Sequence, residues 1–130
     1  ITIDQGVLTV LWSLKNSYGS EIIVPKLPSY SILDLAKSIC RNCKIKIVGI
    51  RPGEKKHEEM ISLEESKNTL YLKDKYIIYQ QNNKKQVDYY KKKFFGKIIS
   101  KQFSYNSKNN KEFLTIDEIK KLISKEEMLK

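Results

Sequence analysis

Gly49-Ile50-Arg51-Pro52-Gly53-Glu54-Lys55-Lys56-His57-Glu58-Glu59-Met60 is the stretch on which the reading of this 130-residue chain turns. It follows the apolar run Ile45-Lys46-Ile47-Val48, whose alternation predicts a strand over residues 45–49. Pro52 and Gly53 then fix a tight turn that carries a guanidinium, Arg51, and a carboxylate, Glu54. A guanidinium grips a diphosphate through two parallel hydrogen bonds where an ammonium offers only a point charge, and a carboxylate accepts from ribose hydroxyls. Arg51 is one of only two arginines against 23 lysines, so what this position adds is fork geometry. The residue types are those of a nucleotide-holding loop hung from a strand end. Residues 56–61 beyond it are expected to make one helical turn.

Outward from the loop, helices and strands alternate. Thr2 caps a predicted helix over residues 3–16, with Ile3, Val7, Val10, Leu11 and Leu14 on one face and Trp12 near its edge; Gly19 ends it. Residues 21–24 read as a short strand with a rigid exit at Pro25 and Pro28. Ser31 and Asp34 open a second helix, with Ile32, Leu35, Ala36 and Ile39 expected inward and its end near Cys40. After the loop, residues 69–72 and 76–79 read as a strand pair around Lys73-Asp74-Lys75. Residues 81–102, rich in lysine and asparagine, read as an extended or partly disordered wrap. Thr115 and Glu118 form a capping box for a last helix striped with Ile116, Ile119, Leu122 and Ile123.

Composition bounds the class. With 40% hydrophobic and 31% charged residues, one modest soluble domain is the default. The charge is uneven: residues 1–80 carry 12 basic and 9 acidic groups, residues 81–130 carry 13 and 6. The scarcity of arginine argues against nucleic acid as a partner. No export signal and no apolar run of spanning length is visible, so a cytoplasmic protein is expected, and the start at Ile1 inside a helical turn suits a fragment of a longer chain. The five glycines stand at 6, 19, 49, 53 and 96, so no Gly-x-Gly-x-x-Gly phosphate turn occurs. Cys40-Arg41-Asn42-Cys43 closes a helix rather than opening one and has no second cysteine pair, so it reads as two reduced thiols, neither a redox pair nor a zinc site. No metal is expected.

From Ile1 to about Gln80 the chain resembles the C-terminal part of inverting UDP-N-acetylglucosamine 4,6-dehydratases, members of the extended short-chain dehydrogenase/reductase family. The matching blocks are Ile1-Thr2-Ile3-Asp4-Gln5-Gly6-Val7, Gly19-Ser20-Glu21-Ile22-Ile23-Val24-Pro25-Lys26-Leu27-Pro28-Ser29, Asp34-Leu35-Ala36-Lys37 and Gly49-Ile50-Arg51-Pro52-Gly53-Glu54-Lys55, followed by His57-Glu58-Glu59-Met60-Ile61-Ser62. Tyr105-Asn106-Ser107-Lys108-Asn109-Asn110 is similar to the tail of the soluble members that start the pseudaminic acid pathway. The resemblance implies an α/β substrate-binding lobe over residues 1–80 and a basic extension over 81–130, without the dinucleotide-binding Rossmann half. It implies that Arg51 meets the UDP diphosphate, that Glu54 holds the uridine ribose, and that His57 and Glu58 close over the substrate. NADP and the catalytic Tyr-x-x-x-Lys would belong to the missing half, the parent would be a homo-oligomer, and this chain alone would not turn over. The local matches Tyr71 with Lys75 and Tyr89 with Lys93 are expected to be surface pairs. The full reaction implied is oxidation at C4, loss of water across C5 and C6, and return of the hydride to C6 with inversion at C5.

Two other readings stand beside this one. In the first the chain is a small basic module that docks on nucleic acid or anionic lipid, with Tyr89, Tyr90, Phe94, Phe95 and Phe103 interleaved among lysines as a stacking surface. The second is a truncated or decayed gene product, with Trp12 and the aliphatic faces left exposed and a tendency to aggregate or bind ANS.

Overall fold

The structure, a computed structural model, describes residues 1–127. Its elements are α1 (Ile3–Asn16), β1 (Ile22–Pro25), α2 (Ile32–Ile39), β2 (Glu59–Ile61), a 3-10 turn (Glu65–Asn68), β3 (Thr69–Tyr71), β4 (Lys75–Ile78), α3 (Lys84–Phe94), β5 (Lys97–Ile98), β6 (Tyr105–Asn106) and α4 (Ile116–Glu127). The described residues form two compact units, one of residues 3–27 and 59–105, the other of residues 28–58 and 106–127.

The first unit is built on an antiparallel sheet of order β1-β4-β3-β5. The expected strand pair is a hairpin, Tyr71 opposite Tyr76, closed by Leu72 N–H donating to Lys75 O at 2.9 Å. Its β-branched and aromatic residues suit the half-buried pleat. Leu70, Leu72, Ile77 and Tyr90 form the core, with Trp12, Ile23, Val87 and Phe94 packed around it. Leu70 and Ile77 are wholly buried, each worth about 1.5–3 kcal/mol.

Residues 81–102 are not a loose wrap. Asn83 Oδ1 caps α3 by accepting from Gln86 N–H at 3.1 Å, and the face bearing Gln86, Val87, Tyr90 and Phe94 turns inward. The polar-looking segment folds because its inward polar groups find partners. The Glu21 carboxylate accepts from the backbone N–H of Tyr18 and Gly19, from Gln86 Nε2 at 2.7 Å and from the Tyr90 hydroxyl. Gln86 Nε2 also donates to Gly19 O, and its Oε1 accepts from Gln80 N–H. This cluster ties α3 to the turn before β1. Burial alone would raise the Glu21 pKa, yet the hydrogen bonds from Tyr90 and the two amides outweigh it and hold the carboxyl below its ordinary value. Burial, and then the Glu21 carboxylate, push the Tyr90 phenol up.

The helix α1 lies with its aliphatic face outward. Gly6, Thr9, Trp12, Ser13 and Asn16 are its less exposed residues, whereas Ile3, Val7, Leu8, Val10, Leu11 and Leu14 are all more than half exposed. Thr9, Ser13 and Asn16 bond back to carbonyls one turn earlier, which satisfies that inward polar face. Trp12 is not exposed as the decayed-product reading expects: its ring lies 5.0 Å from Phe94, and Lys75 Nζ stands 4.2 Å above it.

In the second unit α2 packs against α4. Ser31 Oγ accepts from Leu33 N–H at 3.2 Å, and Cys40 ends α2 by donating to Ala36 O. Ile32 and Ile39 are exposed, not inward as expected; Leu35, Ala36 and the buried Ser38 take that face. Ser29 N–H donates to Glu112 O and Leu114 N–H to Ser29 O, both at 2.8 Å, which leads the chain into α4. The Thr115–Glu118 box is complete: Thr115 N–H donates to Glu118 Oε2 at 2.8 Å and Glu118 N–H to Thr115 Oγ1 at 3.3 Å. Ile119 is buried beneath it.

Three expectations fail in this part of the chain. Residues 45–49 form no strand, because no strand among the described residues lies beside them, and alternation makes a strand only where a ladder exists. Residues 56–61 do not turn helically; Glu59–Ile61 instead pairs with Tyr105–Asn106, and that backbone ladder outcompetes a single helical turn. Cys40 and Cys43 are not reduced thiols but a disulfide, since the turn through Arg41 and Asn42 brings their Cα atoms to 5.5 Å, within bridging range.

Candidate functional site

The Arg51 loop has the geometry of a type II turn, with Pro52 at its first central position and Gly53 at φ +86 at its second. Only glycine takes that left-handed φ without cost. Glu54 N–H donates to Arg51 O at 3.0 Å, closing the turn, and Arg51 N–H donates to Glu54 Oε2 at 2.9 Å. The guanidinium Nε stands 4.0 Å from Glu54 Oε1, and the two side chains are 78% and 52% exposed. One compact turn therefore presents a forked donor and an acceptor to solvent, held from behind by backbone bonds. A pair this exposed adds little to stability, so its geometry is free to serve a ligand.

His57 and Glu58 leave the loop toward β2, and both meet Ser107. Ser107 N–H donates to Glu58 O at 2.8 Å, Glu58 N–H donates to Ser107 Oγ at 3.1 Å, and Ser107 Oγ lies 3.4 Å from His57 Nδ1. All four expected residues thus fall on one exposed segment, Arg51 with Glu54 at its turn and His57 with Glu58 at its end. Ser107 was not among the expected site residues. It belongs to the tail block that resembles the family, but nothing local in that block foretells a partner some 50 residues away in sequence.

The Tyr-x-x-x-Lys matches take structural roles. Tyr89 is half-buried and donates its hydroxyl to Asn16 O at 3.1 Å, while Lys93 Nζ donates to Tyr89 Oη at 2.8 Å. Lys75 is buried, not a surface residue, paired with Asp74 and set over Trp12. Of the five aromatics in the stacking-surface reading only Phe95 is largely exposed; Tyr90 is wholly buried, and Tyr89, Phe94 and Phe103 are half-buried. Among the described residues no cluster of His, Cys, Asp and Glu has the makings of a metal site, and no helix is long and apolar enough to cross a membrane. The residues present do not fit a dinucleotide, because the glycines at 49 and 53 flank Arg51 in a turn rather than opening a helix after a strand.

Known proteins are similar to this chain over nearly its whole length. The inverting UDP-N-acetylglucosamine 4,6-dehydratases of Campylobacter jejuni subsp. jejuni serotypes O:2 and O:23/36 are 35% and 34% identical to this chain over 130 residues, 95% of its length. The chain spans only 38% of either enzyme. The X-ray structure of Pen from Bacillus thuringiensis superposes with a TM-score of 0.75 at 25% identity, covering 98% of this chain and 38% of that one, so the fold is a partial α/β domain of that kind. The family described as "Polysaccharide biosynthesis protein" matches residues 1–80, which include the whole of the Arg51 loop. On that match, this chain belongs to the polysaccharide biosynthesis protein family.

Proposed function

We propose that this chain is the UDP-sugar-binding portion of an inverting UDP-N-acetylglucosamine 4,6-dehydratase that makes precursors of bacterial surface glycans, pseudaminic acid among them. The observation that carries the reading is the Arg51-Pro52-Gly53-Glu54 turn, which offers a guanidinium and a carboxylate to solvent in a chain of this family. Arg51 takes the diphosphate, Glu54 accepts from the ribose hydroxyls, and His57 with Glu58 closes over the sugar. Residues 1–80 supply the lobe and 81–130 a basic extension.

NADP, and with it the redox chemistry of the dehydration, is assigned to the remainder of a larger cytoplasmic parent, a homo-oligomer. That remainder covers the outward aliphatic face of α1, since a continuous apolar stripe of this kind marks a surface that is normally buried. The chain alone binds and does not turn over.

Calorimetric titration of UDP, then UDP-N-acetylglucosamine, into the chain and into Arg51→Ala tests the reading. Saturable binding that the variant loses is expected. Equal binding by both chains, or dehydration by the isolated chain, would sink it.

A further inference from the structure

Ser107 is itself firmly placed. The Asn106 side-chain Oδ1 accepts from the N–H groups of Lys108 at 3.0 Å and Asn109 at 2.9 Å, and Asn110 N–H donates to Asn106 O at 3.1 Å, so the serine sits on a turn closed from both sides. Asn110 Nδ2 also donates to Ser29 Oγ at 3.0 Å, which ties this turn to the segment ahead of α2. From that turn Ser107 makes two backbone-directed bonds to Glu58 and places its hydroxyl beside the His57 ring. One of the two Oγ lone pairs takes the Glu58 N–H, and the hydroxyl hydrogen, which rotates about the Cβ–Oγ bond, has His57 Nδ1 at 3.4 Å as an acceptor in the Nε2–H tautomer. A neutral imidazole that accepts at Nδ1 carries its own proton on Nε2, and that edge of the ring faces away from the serine.

We propose that Ser107 is a positioning residue for the candidate site: it latches the far end of the Arg51 loop and sets His57 as an Nε2–H donor toward an anionic or carbonyl oxygen of the ligand. The loop is then fixed twice, at its turn by Arg51 and Glu54 and at its exit by the tail. For the ligand, a nucleoside diphosphate sugar, the inference rests on the function proposed above; the latch rests on the Ser107–Glu58 contacts alone, and the tautomer is the part of the proposal that the ring nitrogens decide.

Amide hydrogen exchange and nitrogen NMR of the His57 ring test it in the wild-type chain, Ser107→Ala and Ser107→Thr. Alanine is expected to speed exchange at the Glu58 amide several-fold, up to about tenfold, as befits the loss of one hydrogen bond. It should also move the His57 ring nitrogens toward the tautomer mixture of a free imidazole, and threonine, which keeps the hydroxyl, should restore both signals. Unchanged Glu58 exchange or unchanged ring nitrogens in Ser107→Ala would overturn the proposal. UDP-N-acetylglucosamine, which carries the sugar assigned to His57, titrated into the same three chains beside UDP separates this inference from the one beneath it. Weaker binding by alanine alone supports the positioning role, and equal binding by all three overturns it. A wild-type chain that ignores UDP while alanine still frees the Glu58 amide would defeat the UDP-sugar reading and leave the latch standing.

Discussion

At Gly53 a single backbone angle decides whether Arg51 and Glu54 stay on one turn. Its φ of +86 lies where a Cβ crowds the following carbonyl, and no heavy atom stands within 4 Å to make the substitution fail for want of space. Gly53→Ala should therefore destabilise the turn by about 1–2 kcal/mol, and binding of UDP measured by calorimetry should weaken while the far-UV spectrum stays the same. Arg51→Lys keeps the charge and loses the fork, so it should bind UDP more weakly than wild type though better than Arg51→Ala. These positions were legible in the sequence because Pro-Gly turn chemistry is local. The disulfide was not: Cys40 and Cys43 meet because of the turn between them, and residue type alone favoured thiols. Thiol titration should find two reactive groups only after reduction. The ring closed by the bridge is so short that Cys43→Ser should cost no more than about 2 kcal/mol in thermal melts.

Among the elements, those announced by their ends were readable and those made by distant partners were not. Ser31 and the Thr115–Glu118 box mark the starts of α2 and α4 within a few residues, and the 69–78 hairpin is carried by its own β-rich runs. The strand expected at residues 45–49 had the right alternation and no neighbour, whereas β2 exists because Tyr105–Asn106 comes to it from the far end of the chain. Helix α3 was missed because its fully buried residues are Gln86 and Tyr90 rather than aliphatic, and their partners Glu21 and Gly19 lie more than 60 residues earlier in the sequence. Tyr90→Phe, which removes a donor to that carboxylate, should lower stability by about 1.5–3 kcal/mol in denaturant unfolding. The folded Glu21 pKa is depressed, so its contribution is fully present above the ordinary value of 4.5 and is lost as pH falls through the lowered one. The gap in melting temperature between wild type and Glu21→Gln should accordingly be widest near neutrality and close progressively below about pH 4.5.

Across the whole molecule the outward face of α1 is the feature that periodicity could not orient. A 3.6-residue stripe shows that one side of a helix is apolar, but the direction it faces depends on what else is folded against it. Here the small and polar side, Gly6, Thr9, Ser13 and Asn16, takes the inner position because Trp12 beside it fills the space over the sheet. The isolated chain should bind ANS, and Leu8→Lys with Leu14→Lys should reduce that fluorescence while shifting stability by no more than about 0.5 kcal/mol, since neither side chain is buried. Trp12 is the chain's one tryptophan, set between the Phe94 ring and the Lys75 ammonium in the unit that does not contain the Arg51 loop. Its emission is thus a built-in optical gauge of one unit only: it should stay silent when nucleotide binds, and during heating it should part company with circular dichroism wherever the two units melt at different temperatures.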